Sequence, residues 1–386
     1  MGESHQDSAL VLIVPIRVIN SLNDDWQPGP LPVAFGPSEL ATRELRSKYF
    51  YPAVVSVLYG SRWHKQGAWS FLGLNATAVE VLIDPDAKSI GFAAIHCLPN
   101  GRVRDAVSSI RDPHADTDLY LHAMAPDITA AADGGGRYGT PFALSFSLFK
   151  AERTGRESRD EVLFRLASGT DRLSFPFSGN APNPLPIPLS NTWDALPLRD
   201  GLAFAVQNEG DPFVVDGYAL GLVRSVYLDA VLLALMQRDQ LEVLADQLLD
   251  GAQAGELAMN LAEARQHLDT VRGRAWFGRL SRHEVPDSIL QALRREQGTE
   301  ILARHLTQEI ESRASYHREL QQDRLERLLM LITVVGLPVS VILGVGQIAA
   351  SGGGFMLSLP WLGAAILVSV VCILMWRRFG DKRRKR

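Results

Sequence analysis

The chain has 386 residues, with 39 lysines and arginines against 43 aspartates and glutamates. The near balance conceals a division: the ten residues after Trp376 hold seven basic groups and one acidic, leaving 32 basic against 42 acidic before them. An acidic body lacks the lysine and arginine surface that phosphate backbones require, which argues against nucleic acid as a partner. Two cysteines, Cys97 and Cys372, exclude a disulfide framework and a cysteine-based zinc site and fit a reducing compartment.

Met1–Gln6 has no basic region leading into an apolar core, so no secretory signal is expected, and Gln6 stands where a myristoylation sequence needs Ser or Thr. Residues 9–20 then read as a buried strand. Further strands are predicted at Ala53–Tyr59, Val79–Ile83, Gly91–Leu98, Phe142–Phe149, Val162–Ala167 and Leu202–Val206, with a turn at Asp84-Pro85-Asp86. Val103–Ile110 is the one clear helical pattern among them. Residues 1–215 are thus expected to form an α/β or α+β domain on a mixed sheet. Asn180–Ser190, with prolines at 182, 184, 186 and 188, reads as an extended crossing segment.

The pattern changes to helix near residue 217. Leu222, Val226, Leu228, Val231, Leu232, Leu235, Leu241, Leu244 and Leu248 fall at helical spacing over Tyr218–Leu249, and Asp250-Gly251 is the expected end. A second helix is expected from Glu256 to Arg274. A third opens at Pro286-Asp287, with Asp287 as its cap, and meets no proline before Pro338. Uninterrupted to residue 350, it would be roughly 95 Å long at about 1.5 Å per residue, with Gly298 its weakest point. Residues 216–327 are read as a helical stalk.

Several groups invite chemistry. His114, Asp116, Asp118 and His122 form the densest set of metal-ligating side chains, although Asp112-Pro113 also marks a polar turn. His96 and Cys97 are adjacent on a predicted strand and point to opposite faces, so they do not make a nucleophile–base pair. Asp133–Gly139 is glycine-rich but lacks the lysine and hydroxyl of a phosphate loop. Arg272, Arg274, Arg279, Arg282 and His283 surround Trp276-Phe277, which reads as an interhelical hinge with its aromatics packed inward. No set of nucleophile, base and oxyanion donors emerges, so an enzyme is not expected. The acidic excess of the body leaves room for a regulatory divalent cation between subunits.

From Leu328 to Trp376, 49 residues carry no charge. About 20 apolar residues span a bilayer as a helix, so this run accommodates two spans, residues 328–350 and 356–376, joined by a turn at 351–355 containing Gly352-Gly353-Gly354. Pro338 is tolerated within a membrane helix. The tail, residues 377–386, holds Arg377, Arg378, Lys382, Arg383, Arg384, Lys385 and Arg386. Such clusters stay on the cytoplasmic side and bind acidic headgroups. Both termini are therefore expected in the cytoplasm, with the chain a multi-pass protein of the inner (plasma) membrane.

This layout resembles the CorA-type divalent-cation transporters: a cytosolic α/β domain, a helical stalk continuous with the first span, a very short outer loop, a second span and a basic tail. Leu337-Pro338-Val339-Ser340-Val341-Ile342-Leu343-Gly344-Val345 is similar to the proline-to-glycine stretch of that family's first span. The likeness implies a homo-oligomer, a pentamer in that family, with the first span lining a pore past Ser340 and Gly344 to Gln347 at its mouth. The family's Gly-Met-Asn motif is replaced here by Gln347-Ile348-Ala349, and the turn has no acidic residue. A hydrated Mg²⁺ is held through oxygen groups that Ile and Ala side chains lack. The expectation is a cytosolically gated oligomeric channel or membrane effector. A divalent-cation (Mg²⁺, Co²⁺ or Ni²⁺) transporter and a non-conducting anchor presenting a sensing or scaffolding domain are the alternatives. Tyr227-Leu228-Asp229-Ala230 with Gln237-Arg238 also resembles membrane effectors of bacterial conflict systems, which implies caspase-like and repeat proteins as partners.

Overall fold

A computed structural model describes residues 8–22, 25–84, 90–110, 116–131, 141–148, 159–169, 186–206, 210–254, 257–274 and 276–336, and the single positions 340, 344, 347 and 363. The chain divides into two compact units, Met1–Thr307 and Gln308–Arg386.

The first unit is built on a mixed ten-stranded sheet. Its strands are β1 (Ser8–Val18), β2 (Gln27–Pro28), β5 (Arg62–Phe71), β6 (Leu74–Ile83), β7 (Ile90–Pro99), β8 (Ile128–Ala130), β9 (Phe142–Leu148), β10 (Ile187–Pro188), β11 (Trp193–Leu198) and β12 (Gly201–Val206). The spatial order is β10-β11-β12-β9-β1-β7-β6-β5-β2, with β8 also paired to β1. The β12–β9 pair is parallel and every other pair is antiparallel. A two-stranded ribbon, β3 (Val33–Phe35) and β4 (Glu39–Ala41), lies outside it.

Strand β1 is central, and Ala9 to Val14 are buried on both faces. Burial on both sides is why this strand reads as a continuous apolar run rather than an alternation. One face carries a core with α3 (Val103–Ile110), α4 (Thr117–Met124) and α5 (Arg159–Ser168), through Val107, Leu121 and Leu163. The other is covered by α7 (Tyr218–Leu222), a π-helical turn at Val223–Tyr227, α8 (Leu228–Ala254) and α10 (Glu284–Glu296). The remaining helices are α1 (Arg43–Ser47), α2 (Pro52–Gly60), α6 (Pro212–Val215), α9 (Leu257–Arg274) and α11 (Thr299–Leu331).

Two expected strands are helices. Ala53–Tyr59 lies in α2, where Pro52 occupies the first turn and Val54 and Leu58, four apart, are buried. Proline fits a helix start, and the i,i+4 packing overrides the strand preference of three valines. Val162–Ala167 lies in α5, where Leu163, Leu166 and Ala167 face the core and Arg165 pairs with Glu161 at 2.7 Å. The strands expected at 9–20, 79–83, 91–98 and 202–206 are present, as is helix Val103–Ile110. Phe149 and residues 180–185 lie outside the described residues; residues 186–190 include the short edge strand β10.

The helical half differs in its joints. Helix α8 continues through Asp250-Gly251 to Ala254, since one glycine costs a helix only about 1 kcal/mol. Helix α10 begins at Glu284, and Asp287 turns its carboxylate to the N–H groups of Leu280 (2.7 Å) and Ser281 (3.1 Å) instead of capping. The long third helix is broken at Gly298, whose φ of +68° ends α10 before α11 starts. The expected boundary at 215/216 falls inside the first compact unit, because α8 supplies Val231, Leu232 and Leu235 to the sheet's own core. The run Tyr218–Leu249 is long and apolar enough to cross a membrane, but 89% of its most apolar window is buried inside the fold, as in the core helix of a globular unit.

Candidate functional site

Six charged or titratable side chains meet under α8 with almost no exposure: Arg46, Tyr59, Arg62, Glu80, His96 and Asp229. Register places three of them. Glu80 of β6 pairs with His64 of β5 and Ala94 of β7, so Arg62, Glu80 and His96 lie on one face of three adjacent strands. Helix α1, whose Leu45 N–H donates to Thr42 at its start, brings in Arg46. Helix α2 contributes Tyr59, and Asp229 is the second residue of α8.

Asp229 is the centre. Its carboxylate accepts from Arg46 Nε at 3.0 Å and Nη2 at 2.8 Å, from Tyr59 Oη at 2.7 Å, and from Arg62 Nη1. Glu80 accepts from Arg62 Nε at 2.7 Å, from the Leu31 N–H at 3.0 Å and from His96 Nε2 at 2.8 Å. Arg46 also donates to the carbonyls of Leu31 (3.0 Å) and Ser225 (3.2 Å). Ser225 lies in the π-turn, where i→i+5 bonding disrupts the regular ladder and a carbonyl can serve a side chain.

Charge balance sets the protonation states. Burial favours the neutral form of Glu80, but Arg62 and Arg46 outweigh it and hold the carboxyl well below the usual range. Burial likewise opposes the Arg46 charge, and Asp229 and Glu80 more than restore it. Two guanidinium groups already match two carboxylates, so a charged imidazole would be in excess. Burial lowers His96 to about 4, with Glu80 opposing and Arg224 and Arg46 adding to the fall. His96 is therefore neutral at pH 7 and donates through Nε2, and its Nδ1 has no hydrogen-bond partner among the described residues. Tyr59 is pushed up by burial and by Asp229 and stays a donor.

The cluster joins the segment 31–62, the sheet and the start of the long helix by charge-assisted bonds whose acceptors are committed. The unpartnered His96 Nδ1 is buried, and none of the cluster's residues borders the open groove along α9 at Ala262, Arg265, Gln266, Asp269, Thr270 and Gly273. Its chemistry is mechanical: it fixes α8 against the sheet. Another buried cation, Arg294, has neutral hydrogen-bond partners. It donates to Gln237 Oε1 (2.8 Å) and the Phe277 carbonyl (3.0 Å) and lies 4.4 Å from the centre of the Trp276 ring. Burial lowers it to about 10, with Glu300 opposing. Of the two expected inward aromatics, Phe277 packs against the core, while Trp276 is half-buried and lies against Arg294.

The expected site residues fall elsewhere. His114 lies outside the described residues. Asp116 caps α4 through the Leu119 N–H (3.1 Å), Asp118 accepts from Thr129 Oγ1 (2.8 Å) and the Ala130 N–H (2.6 Å), and His122 is exposed on α4. No group of three or more metal-ligating side chains gathers among the described residues. Cys97 is buried in the core opposite His96's face, and burial pushes its thiol up. Ser340, Gly344 and Gln347 are each helical, and the residues between them lie outside the described residues. Arg377, Arg378, Lys382, Arg383, Arg384, Lys385 and Arg386 lie outside the described residues.

The buried cluster was missed by motif reasoning, yet it left a signal. Glu80, His96 and Asp229 each interrupt an otherwise apolar run, where a charge without a partner would be prohibitive. The chain matches no family model, no curated protein and no solved structure.

Proposed function

We propose that this chain is an integral membrane protein in which the α/β unit senses a cytosolic signal and a C-terminal two-helix hairpin acts as an oligomeric, gated channel. The observation that carries the reading is an apolar stripe left exposed among the described residues. On α11 and the turn after it, Leu325, Leu328, Leu329, Met330 and Ile332 are each 55–62% exposed. The helix buries Ala303, Leu306 and Ile310 near its start, and beyond Ile310 its side chains as far as Arg324 are mostly polar and exposed, with i,i+4 pairs joining Glu309 to Arg313 and Asp323 to Arg327 at 3.8 Å. A helix of that kind crosses water on its own, supported by its own side-chain pairs. The stripe then enters the 49-residue charge-free run. The other long apolar helix, Tyr218–Leu249, is buried by its own fold, which makes the contrast specific.

Spans at 328–350 and 356–376 place the short turn outside and the basic tail inside. Ser340, Gly344 and Gln347 are the proposed pore lining. A mouth of Gln347-Ile348-Ala349 and a turn without carboxylates offer few oxygen ligands beyond the glutamine, so conduction is expected to be weakly selective.

The test is ion flux into liposomes containing the purified full chain, measured for K⁺, Na⁺ and Mg²⁺ while cytosolic extracts are added. Flux above protein-free liposomes that falls when Gln347 is replaced by leucine supports the channel. Stable insertion with no flux under any condition overturns it and leaves a non-conducting anchor.

A further inference from the structure

The break between α10 and α11 has an unusual composition. Between Asp287 and Leu337 the sequence has no proline, and its only glycines are Gly298 and Gly336. Helix α10 closes with the Gln297 N–H on the Leu293 carbonyl (2.9 Å) and the Gly298 N–H on the Arg295 carbonyl (3.1 Å). Gly298 is left-handed, and its carbonyl accepts from the Leu302 N–H (2.9 Å), so α11 starts at once. A Cβ built at Gly298 meets nothing within 4 Å. No neighbour demands glycine there; only the backbone conformation does.

The break also leaves polar groups short of partners. Thr299 is fully buried, and its Oγ1 has no hydrogen-bond partner among the described residues; the same holds for Gln297 Oε1. The Gln297 amide is tethered through Nε2 to the Arg199 carbonyl at 3.3 Å. In an unbroken helix the Thr299 hydroxyl has a ready acceptor in the Arg295 carbonyl four residues back. Buried groups without partners are disfavoured, so the broken form gives up bonds that the unbroken form makes.

We propose that Gln297-Gly298-Thr299 is a two-state joint, alternating between the broken form and one continuous helix from Glu284 to Leu331. Passage to the continuous form carries Gly298 from left-handed to right-handed helical dihedrals and re-aims α11. As an input to the hairpin the joint rests on the membrane reading above; as a conformational equilibrium it stands by itself.

Hydrogen exchange on the purified full chain in detergent micelles tests it. In the broken form the Thr299, Glu300 and Ile301 amides lack acceptors four residues back, whereas in the continuous form all three are bonded. Gly298→Ala disfavours the left-handed form and favours helix, while Gly298→Asn tolerates the left-handed form. Exchange at residues 299–301 should slow by about tenfold in Gly298→Ala and stay at the wild-type rate in Gly298→Asn. Gln297→Ala, which releases the tether, should slow the same amides. Wild-type exchange in both alanine variants, or a Gly298→Ala chain that fails to fold, overturns the joint. Exchange is read whether or not the protein conducts, so failure of the joint and failure of the channel are separate results.

Discussion

Arg46 and Asp229, 183 residues apart, face each other through two parallel hydrogen bonds, Nε to Oδ2 at 3.0 Å and Nη2 to Oδ1 at 2.8 Å. Neither residue is exposed. The pair ties the short helix α1 to the first turn of α8. Removing one partner from a buried pair strands the other charge, at a cost of about 3–5 kcal/mol. Arg46→Ala is expected to lose that much in chemical denaturation of the full chain. Asp229→Asn added to it should cost far less than Asp229→Asn alone, with a coupling of about 1–3 kcal/mol. Additive losses would show that the two residues do not share one network.

His96 makes stability depend on pH in a defined window. Its folded value of about 4 lies below the ordinary 6.5, so the unfolded chain binds the extra proton between them. Stability from this group is full above 6.5 and falls as pH drops toward 4, by up to ~1.4 kcal/mol per pH unit and on the order of 3 kcal/mol in all. Glu80, held low in the folded state, adds an acid limb beneath that window. His96→Gln keeps an N–H for Glu80 and should flatten the slope between pH 6.5 and 4 while leaving the acid limb. An unchanged slope in that variant would place its source in another group.

Gly221 carries the close approach of α7 to the ribbon. A Cβ there would lie 2.7 Å from the Ala34 carbonyl oxygen and 2.9 Å from the Phe35 ring. Backbone cannot yield as a flexible side chain does, so Gly221→Ala is expected to cost about 1–3 kcal/mol despite alanine's better helix propensity. Gly60→Ala, with nothing within 4 Å, is the matched control and should be near neutral in the same thermal melts.

Legibility followed the strength of local signals. β1, β6, β7 and β12 are long runs of buried apolar residues, and α8 repeats its leucines at helical spacing, so both classes could be read directly. The segments 53–59 and 162–167 could not, because short valine- and leucine-rich stretches fit either period until packing decides. The ionic cluster was illegible as a site because it assembles from residues 46, 62, 80, 96 and 229, contacts set by topology alone. The interruption at Gly298 was visible as a weak point in a helical run. That it breaks the helix follows from the left-handed turn there, which propensity alone does not specify.

The membrane reading meets its most direct test in alkaline carbonate extraction of membranes from cells expressing the full chain. Residues 328–376, if they span the bilayer, keep the protein in the pellet through the wash and release it only into detergent. Recovery of folded chain in the carbonate supernatant would mean that the exposed leucines of α11 meet protein instead of lipid, and the hairpin would have to be abandoned.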